Sequence, residues 1–310
     1  MRKYLEAILK ARVYDVAKET PLEKAPRLSQ RLHNHVFLKR EDLQSVFSFK
    51  LRGAYNKISL LSDQTRQAGV IAASAGNHAQ GVALAAQCWG IQALIVMPKT
   101  TPPIKVKSVR ALGADTVLHG NSYDEAYLHA MQLTEKSLAT FIHPYDDPEV
   151  IAGQGTVGME ILRQHPAPID AVFVPIGGGG LISGVGSYIK CLRPEIKIIG
   201  VEPDDAACMH AALQQGKRVI LDQVGIFADG VAVRQIGKEA FRLAKHCIDD
   251  VLLVSTDEIC AAIKDIFNDT RSISEPAGAL AVAGMKKYTQ NHPCQDQVLI
   301  AIDSGANVNF

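Results

Sequence analysis

The sequence predicts an α/β protein with two mostly parallel sheets flanked by helices, on three observations. Short runs of Val, Ile, Leu and Ala are apolar along nearly their whole length, as strands covered on both faces are. Longer amphipathic runs separate them, so strands and helices alternate along the chain. Glycine- and asparagine-rich turns fall between several of these strands and the helices that follow, where backbone amides can converge on a ligand.

Nine strands are expected, at 36–39, 70–73, 93–97, 116–119, 140–143, 171–176, 197–202, 251–255 and 297–302. Helical spacing fills the gaps, as in Leu51, Ala54, Tyr55, Ile58 and Leu61, or in the long stretch 257–271. Leu5, Ile8, Leu9, Val13 and Val16 continue that spacing near the start, but Glu6, Lys10 and Asp15 break any apolar signal-peptide core. A chain of 310 residues is long for one core, so two lobes are expected. The proline-containing segment around His143 and Pro148 marks one crossing and the loop from Glu41 to Phe47 the other. These crossings place a smaller lobe of residues 44–147 inside a larger one formed by 1–43 and 148–310.

Composition excludes several classes of function. With 47% hydrophobic residues the chain has material for a buried core, and a formal charge of +1 supplies no basic field for nucleic acid or anionic lipid. No apolar run approaches the 18 residues of a membrane span. The six cysteines are far apart and form no C-x-x-C pair or zinc-type cluster. The expectation is a cytoplasmic protein with reduced thiols, no metal, and a small molecule as its partner.

Four places carry the chemistry. Lys50, in Ser48-Phe49-Lys50-Leu51-Arg52-Gly53, follows a strand and heads a helical pattern. The positive end of a helix and an aromatic neighbour both favour the neutral, nucleophilic amine, so Lys50 suits the capture of a carbonyl compound. Gly177-Gly178-Gly179-Gly180-Leu181 follows the strand at 171–176, and its free amides with the helix behind them suit a phosphate. Ile182 and Ser183 stand where a dinucleotide fingerprint would need its last glycine, and no G-K-[ST] exists in the chain, so a smaller phosphate ester is expected. In Ser74-Ala75-Gly76-Asn77-His78, backbone donors and the Ser74 hydroxyl suit a carboxylate. The Asn77 amide suits either a phenolic oxygen or an ordinary helix N-cap. Near the end, in Ser304-Gly305-Ala306-Asn307, either the Ser304 hydroxyl or the carboxylate of Asp303 faces a ring nitrogen. The serine would leave that nitrogen neutral and the aspartate would keep it protonated.

Together, S-F-K-L-R-G-A, S-A-G-N-H-A-Q-G, G-G-G-G-L and S-G-A-N-V-N resemble the fold-type II pyridoxal-phosphate enzymes, whose architecture is that of the tryptophan synthase β chain. More narrowly the chain resembles the catalytic domain of biosynthetic threonine dehydratases (threonine ammonia-lyases). The likeness runs from Thr20-Pro21-Leu22 to Phe310 and includes Ile151-Ala152-Gly153-Gln154-Gly155-Thr156 and Glu275-Pro276. The resemblance implies that Lys50 holds pyridoxal phosphate covalently and takes the α-proton of the substrate. It further implies that Gly177, Gly178, Gly179, Gly180 and Leu181 bind the phosphate, Asn77 the 3-oxygen and Ser304 the ring nitrogen, with Phe49 on the ring face. Ser74, Ala75, Gly76 and His78, with Gln154, would hold the substrate carboxylate. The implied reaction is dehydration and deamination of L-threonine to 2-oxobutanoate and ammonia, the first step of isoleucine biosynthesis, by a homodimer or homotetramer.

Two departures refine this. Similar serine racemases carry a second serine where this chain has Ala75, which disfavours racemisation, and an acidic metal ligand where it has Cys208, six positions after Glu202. Biosynthetic threonine dehydratases typically continue into an isoleucine-binding domain, whereas this chain stops at Phe310, so no regulatory domain is expected within it. The alternatives are L-serine dehydration or β-replacement on the same fold, and a non-catalytic small-molecule binding protein.

Overall fold

The computed structural model describes residues 1–308. Ten strands are β1 (Leu22–Lys24), β2 (His35–Arg40), β3 (Val70–Ala73), β4 (Ala93–Met97), β5 (Asp115–Leu118), β6 (Thr140–Phe141), β7 (Ala171–Pro175), β8 (Lys197–Pro203), β9 (Asp250–Val254) and β10 (Val298–Asp303). They form a six-stranded sheet in the order β1-β2-β10-β7-β8-β9 and a four-stranded sheet in the order β5-β4-β3-β6. Every pairing is parallel except that of β1 with β2. The fold class is therefore the expected α/β one, with a single antiparallel edge added.

The apolar strand runs are explained by cover on both faces. Val36, Leu38, Phe173, Val201, Leu299 and Ala301 pack into one core of the larger sheet, beneath the Thr256–Thr270 and Pro276–Asn291 helices. Val172, Val174, Ile198, Ile300 and Ile302 point the other way, against the Pro148–Gln164 and Gly180–Leu192 helices. The smaller sheet is likewise buried on two sides.

Three local differences from the sequence reading have physical causes. β1 is Leu-Glu-Lys, too short and polar to read as a strand, and it forms only by edge pairing. The first helix ends at Leu9, so Val13 and Val16 lie beyond it. β6 ends at Phe141 because the His143 Nδ1 accepts hydrogen bonds from the Tyr145 and Asp146 amides, turning the chain.

The helices around Lys50 touch through glycines. A Cβ on Gly153 would lie 2.6 Å from the Gly53 Cα, and one on Gly81 would lie 2.9 Å from the Leu51 nitrogen. Gly153, Gly155 and Gly158 do have G-x-G-x-x-G spacing, but they lie mid-helix, where they admit neighbouring backbones and side chains rather than a phosphate.

Candidate functional site

The four sequence segments meet at the carboxyl ends of β2, β3, β7 and β10, where open parallel sheets place their ligands. Ser48 bridges Gly305, the Phe49 amide donates to the Ser304 carbonyl at 3.4 Å, and the Ala306 amide donates to the Phe47 carbonyl at 2.9 Å. These contacts set the start of the Lys50–Ser59 helix against the end of β10.

Lys50 is half-buried, and its Nζ donates to the Pro144 carbonyl at 3.1 Å. Burial lowers its pKa to about 8, against a smaller opposing effect of Glu275. A lysine so placed has a far larger neutral fraction near pH 7 than one in water. Phe49 lies alongside, with the ammonium 5.4 Å from its ring centroid.

The glycine turn has the form of an anion cup. Gly179 adopts φ +91°, a left-handed conformation that brings successive amides to one side, and the Gly180–Leu192 helix begins directly after it. Among the described residues, the amides of Gly177, Gly178 and Gly179 have no protein acceptor. Gly178 has no room for a side chain, since a Cβ there would lie 2.2 Å from the Tyr145 ring. Tyr145 thus covers the cup. Asp146 anchors that cover by accepting the Lys238, Glu239 and Ala240 amides at the start of the Lys238–Cys247 helix.

Ser74, Ala75, Gly76 and Asn77 are half-exposed along the cleft, with Ser74 Oγ accepting the Gly76 amide at 3.2 Å. Gly76 occupies the N-cap, so the N-cap alternative for Asn77 is replaced by another role. Asn77 Nδ2 donates to Glu275 Oε1 at 2.5 Å, while its Oδ1 accepts from Asn307 Nδ2 at 2.5 Å. The second Nδ2 hydrogen of Asn77 has no acceptor among the described residues. Glu275 is buried, and burial raises its pKa to about 7 although the Asn77 bond favours the anion. His78 is also buried, its Nε2 on the Ile142 carbonyl and its Nδ1 without a partner among the described residues. Burial and the nearby Lys50 charge lower its pKa to about 3, so it is neutral.

Ser304 and Asp303 have different neighbours, as successive strand residues do. The Ser304 hydroxyl donates to the Ala277 carbonyl at 3.3 Å, whereas the Asp303 carboxylate accepts the Ser274 hydroxyl at 2.5 Å and lies near Asp42 and Arg40. Gln154 stands apart from the cleft loops: it is buried against the Lys50–Ser59 helix, its Oε1 accepting the Gly53 amide at 3.1 Å. Its Nε2 has no partner among the described residues. At the position of the racemase metal site, Glu202 accepts the Met209 and His210 amides at 2.8 Å each, capping the Cys208–Gln215 helix.

Sequence reasoning missed Tyr145, Pro144, Asn307 and the Glu275 carboxylate. The signal for Tyr145 was its place in a proline-containing turn; nothing local signalled that Asn307 meets Asn77 across 230 positions.

Residues 13–304 match the pyridoxal-phosphate dependent enzyme family, and the chain belongs to it. It is 58% identical over 310 residues to a biosynthetic L-threonine dehydratase of Burkholderia multivorans, covering 99% of this chain and 61% of that protein. The chain thus spans about three fifths of the length of the curated relatives it matches. The solved structure of the processed form of threonine deaminase isoform 2 from Solanum lycopersicum superposes with a TM-score of 0.98 at 53% identity, over 100% of this chain and 85% of that one. Maize serine racemase superposes with a TM-score of 0.93 at 33% identity, over 99% and 94%. The family's cofactor fits the residues present: amides without acceptors among the described residues in a glycine cup, and an amine of lowered pKa on the Pro144 carbonyl, one residue before the Tyr145 that covers the cup.

Proposed function

We propose that this chain is a threonine ammonia-lyase, converting L-threonine to 2-oxobutanoate and ammonia at the start of isoleucine biosynthesis. The observation that carries the reading is the Lys50 amine, lowered to a pKa of about 8 by burial and held by the Pro144 carbonyl, next in the chain to the Tyr145 that covers a glycine cup whose amides lack acceptors among the described residues. When bound, pyridoxal phosphate supplies an aldehyde to link the substrate amine and an electron sink that acidifies the α-hydrogen.

The protein's part is positioning and proton movement. The amides of Gly177, Gly178, Gly179, Gly180 and Leu181 hold the phosphate, the remaining Asn77 hydrogen binds the phenolic oxygen, and Phe49 covers the ring face. The Ser304 hydroxyl, turned from the Ala277 carbonyl, would donate to the ring nitrogen and leave it unprotonated. Lys50 in its neutral form takes the α-proton at Nζ. Ser74, Ala75, Gly76 and neutral His78 hold the substrate carboxylate. Gln154 supports that loop from the side of the Lys50 helix.

The same proposal divides the chain into lobes of 44–147 and of 1–43 with 148–310, supported by the two separate sheets. It also places the protein in the cytoplasm as a homodimer or homotetramer, which sedimentation measures. Among the described residues no helix is long and apolar enough to cross a membrane. The deciding experiment supplies L-threonine, L-serine and the D-isomers in turn and measures 2-oxo acid and ammonia. Threonine is expected to give the largest kcat/KM; serine exceeding it, or no 2-oxo acid from either, overturns the reading.

A further inference from the structure

Behind the Lys50 turn lies a second set of charges that the proposed reaction does not use. Arg52, Glu41, Glu160 and Lys39 all have side chains with 0% exposure. Arg52 Nε and Nη2 each donate to a Glu41 oxygen at 2.8 Å, while Nη1 and Nη2 donate to Glu160 at 2.6 and 2.9 Å. Nη1 also reaches Thr156 Oγ1 at 3.0 Å, and Nη2 reaches the Lys18 carbonyl at 3.1 Å. Lys39 Nζ donates at 2.6 Å to Glu160 Oε2, the oxygen that also accepts from Arg52 Nη2. The quartet sums to zero charge, and Arg52 leaves no nitrogen without an acceptor.

Such a group is a poor way to gain stability. Desolvating four charges costs about as much as their attraction returns, and apolar side chains of the same volume often hold a fold as well or better. What the quartet supplies is direction. The flat guanidinium fork accepts only one orientation between two carboxylates, and it joins the Lys50–Ser59 helix to the end of β2 and to the Pro148–Gln164 helix. Leu51, Ala54, Tyr55 and Ile58 pack the helix into the apolar cores on its other side, but its closest approaches to the Pro148–Gln164 and Asn77–Trp89 helices are at Gly53, Gly153 and Gly81, where no side chain sets the angle of contact and a directional clamp such as the Arg52 fork can. Arg52 lies two residues after Lys50, about 200° around the helix, so it grips the face opposite the amine.

We infer that Arg52, through Glu41, Glu160 and Lys39, is a positioning residue that fixes the rotation and register of the Lys50 helix and so aims the amine at the glycine cup. The inference rests on the proposed pyridoxal-phosphate reading of the site. A misplacement near 1 Å at a reacting atom can cost about a hundredfold in rate.

The test compares the wild-type chain with Arg52→Lys and with the apolar quadruple variant Lys39→Met/Glu41→Leu/Arg52→Met/Glu160→Leu. Each is stripped of cofactor and melted, then mixed with pyridoxal phosphate to follow the visible band of the lysine-bound cofactor. The quadruple variant is expected to melt at or above the wild type yet capture cofactor about a hundredfold more slowly, with kcat reduced and KM for threonine within about twofold. Arg52→Lys, which keeps charge but loses the fork, is expected to slow capture by about tenfold. A quadruple variant that unfolds, showing the quartet to be needed for stability, overturns the inference. So does either folded variant capturing cofactor at the wild-type rate. Failure of the wild type itself to form the band overturns the proposed function instead.

Discussion

Glu41 and Glu275 are both fully buried carboxylates near the same helix turn, and their pKa values move in opposite directions. Burial pushes Glu41 up, but the Arg52 guanidinium outweighs it and holds that carboxylate below its usual range. Burial pushes Glu275 to about 7, because its nearest partner is the neutral Asn77 amide rather than a cation. The difference separates two uses of buried charge. Behind the Lys50 helix the charges are matched and serve as fixed struts. On the cleft side Lys50, His78, His143 and Glu275 form no ion pair among the described residues and burial drives each toward its neutral form, which leaves Lys50 at about 8 and Glu275 at about 7, close to the range where proton transfer near pH 7 operates.

The comparison breaks most severely at the amine itself. Lys50→Ala is expected to abolish the visible band and to lower kcat by at least about a thousandfold, read by absorbance and a 2-oxo acid assay. Gly178→Ala comes next. It forces a methyl into the Tyr145 ring and is expected to weaken cofactor binding by about 1–3 kcal/mol, measured by titration with pyridoxal phosphate.

Glu275→Gln sharpens the contrast through stability. The folded pKa of Glu275 is raised, so its favourable contribution is fully present below the unfolded value and is lost as pH rises through about 7. The cofactor-free wild type should therefore lose more stability between about pH 5 and 7 than Glu275→Gln, as urea midpoints at several pH values will show. Equal slopes would contradict this assignment. Smallest is the pH dependence of capture. The rate should rise with pH and level off above about 8, the pKa of the buried amine, whereas a rise continuing to pH 10 would mean a solvated lysine.

Much of this was legible in the sequence because the signals are local. β3 and β4 fall at 70–73 and 93–97 as expected, since short all-apolar runs between turns have few other uses in a soluble fold. Lys50 and the glycine cup stand at strand-to-helix junctions, which turn chemistry reveals. The Asn307–Asn77–Glu275 chain was not legible, because it joins residues 230 and 198 positions apart and depends on strand order. The same holds for Tyr145 on Gly178, a contact between a turn and a loop of different sheets. The charged quartet was hidden for another reason: Lys39, Glu41 and Arg52 look like ordinary surface charges until the Pro148–Gln164 helix covers them.

The most direct measurement is borohydride reduction of the protein loaded with pyridoxal phosphate, followed by mapping of the modified peptide. A single stable adduct on the Nζ of Lys50 is expected. An adduct on Lys39, Lys57 or any other lysine, with Lys50 unmodified, would contradict it.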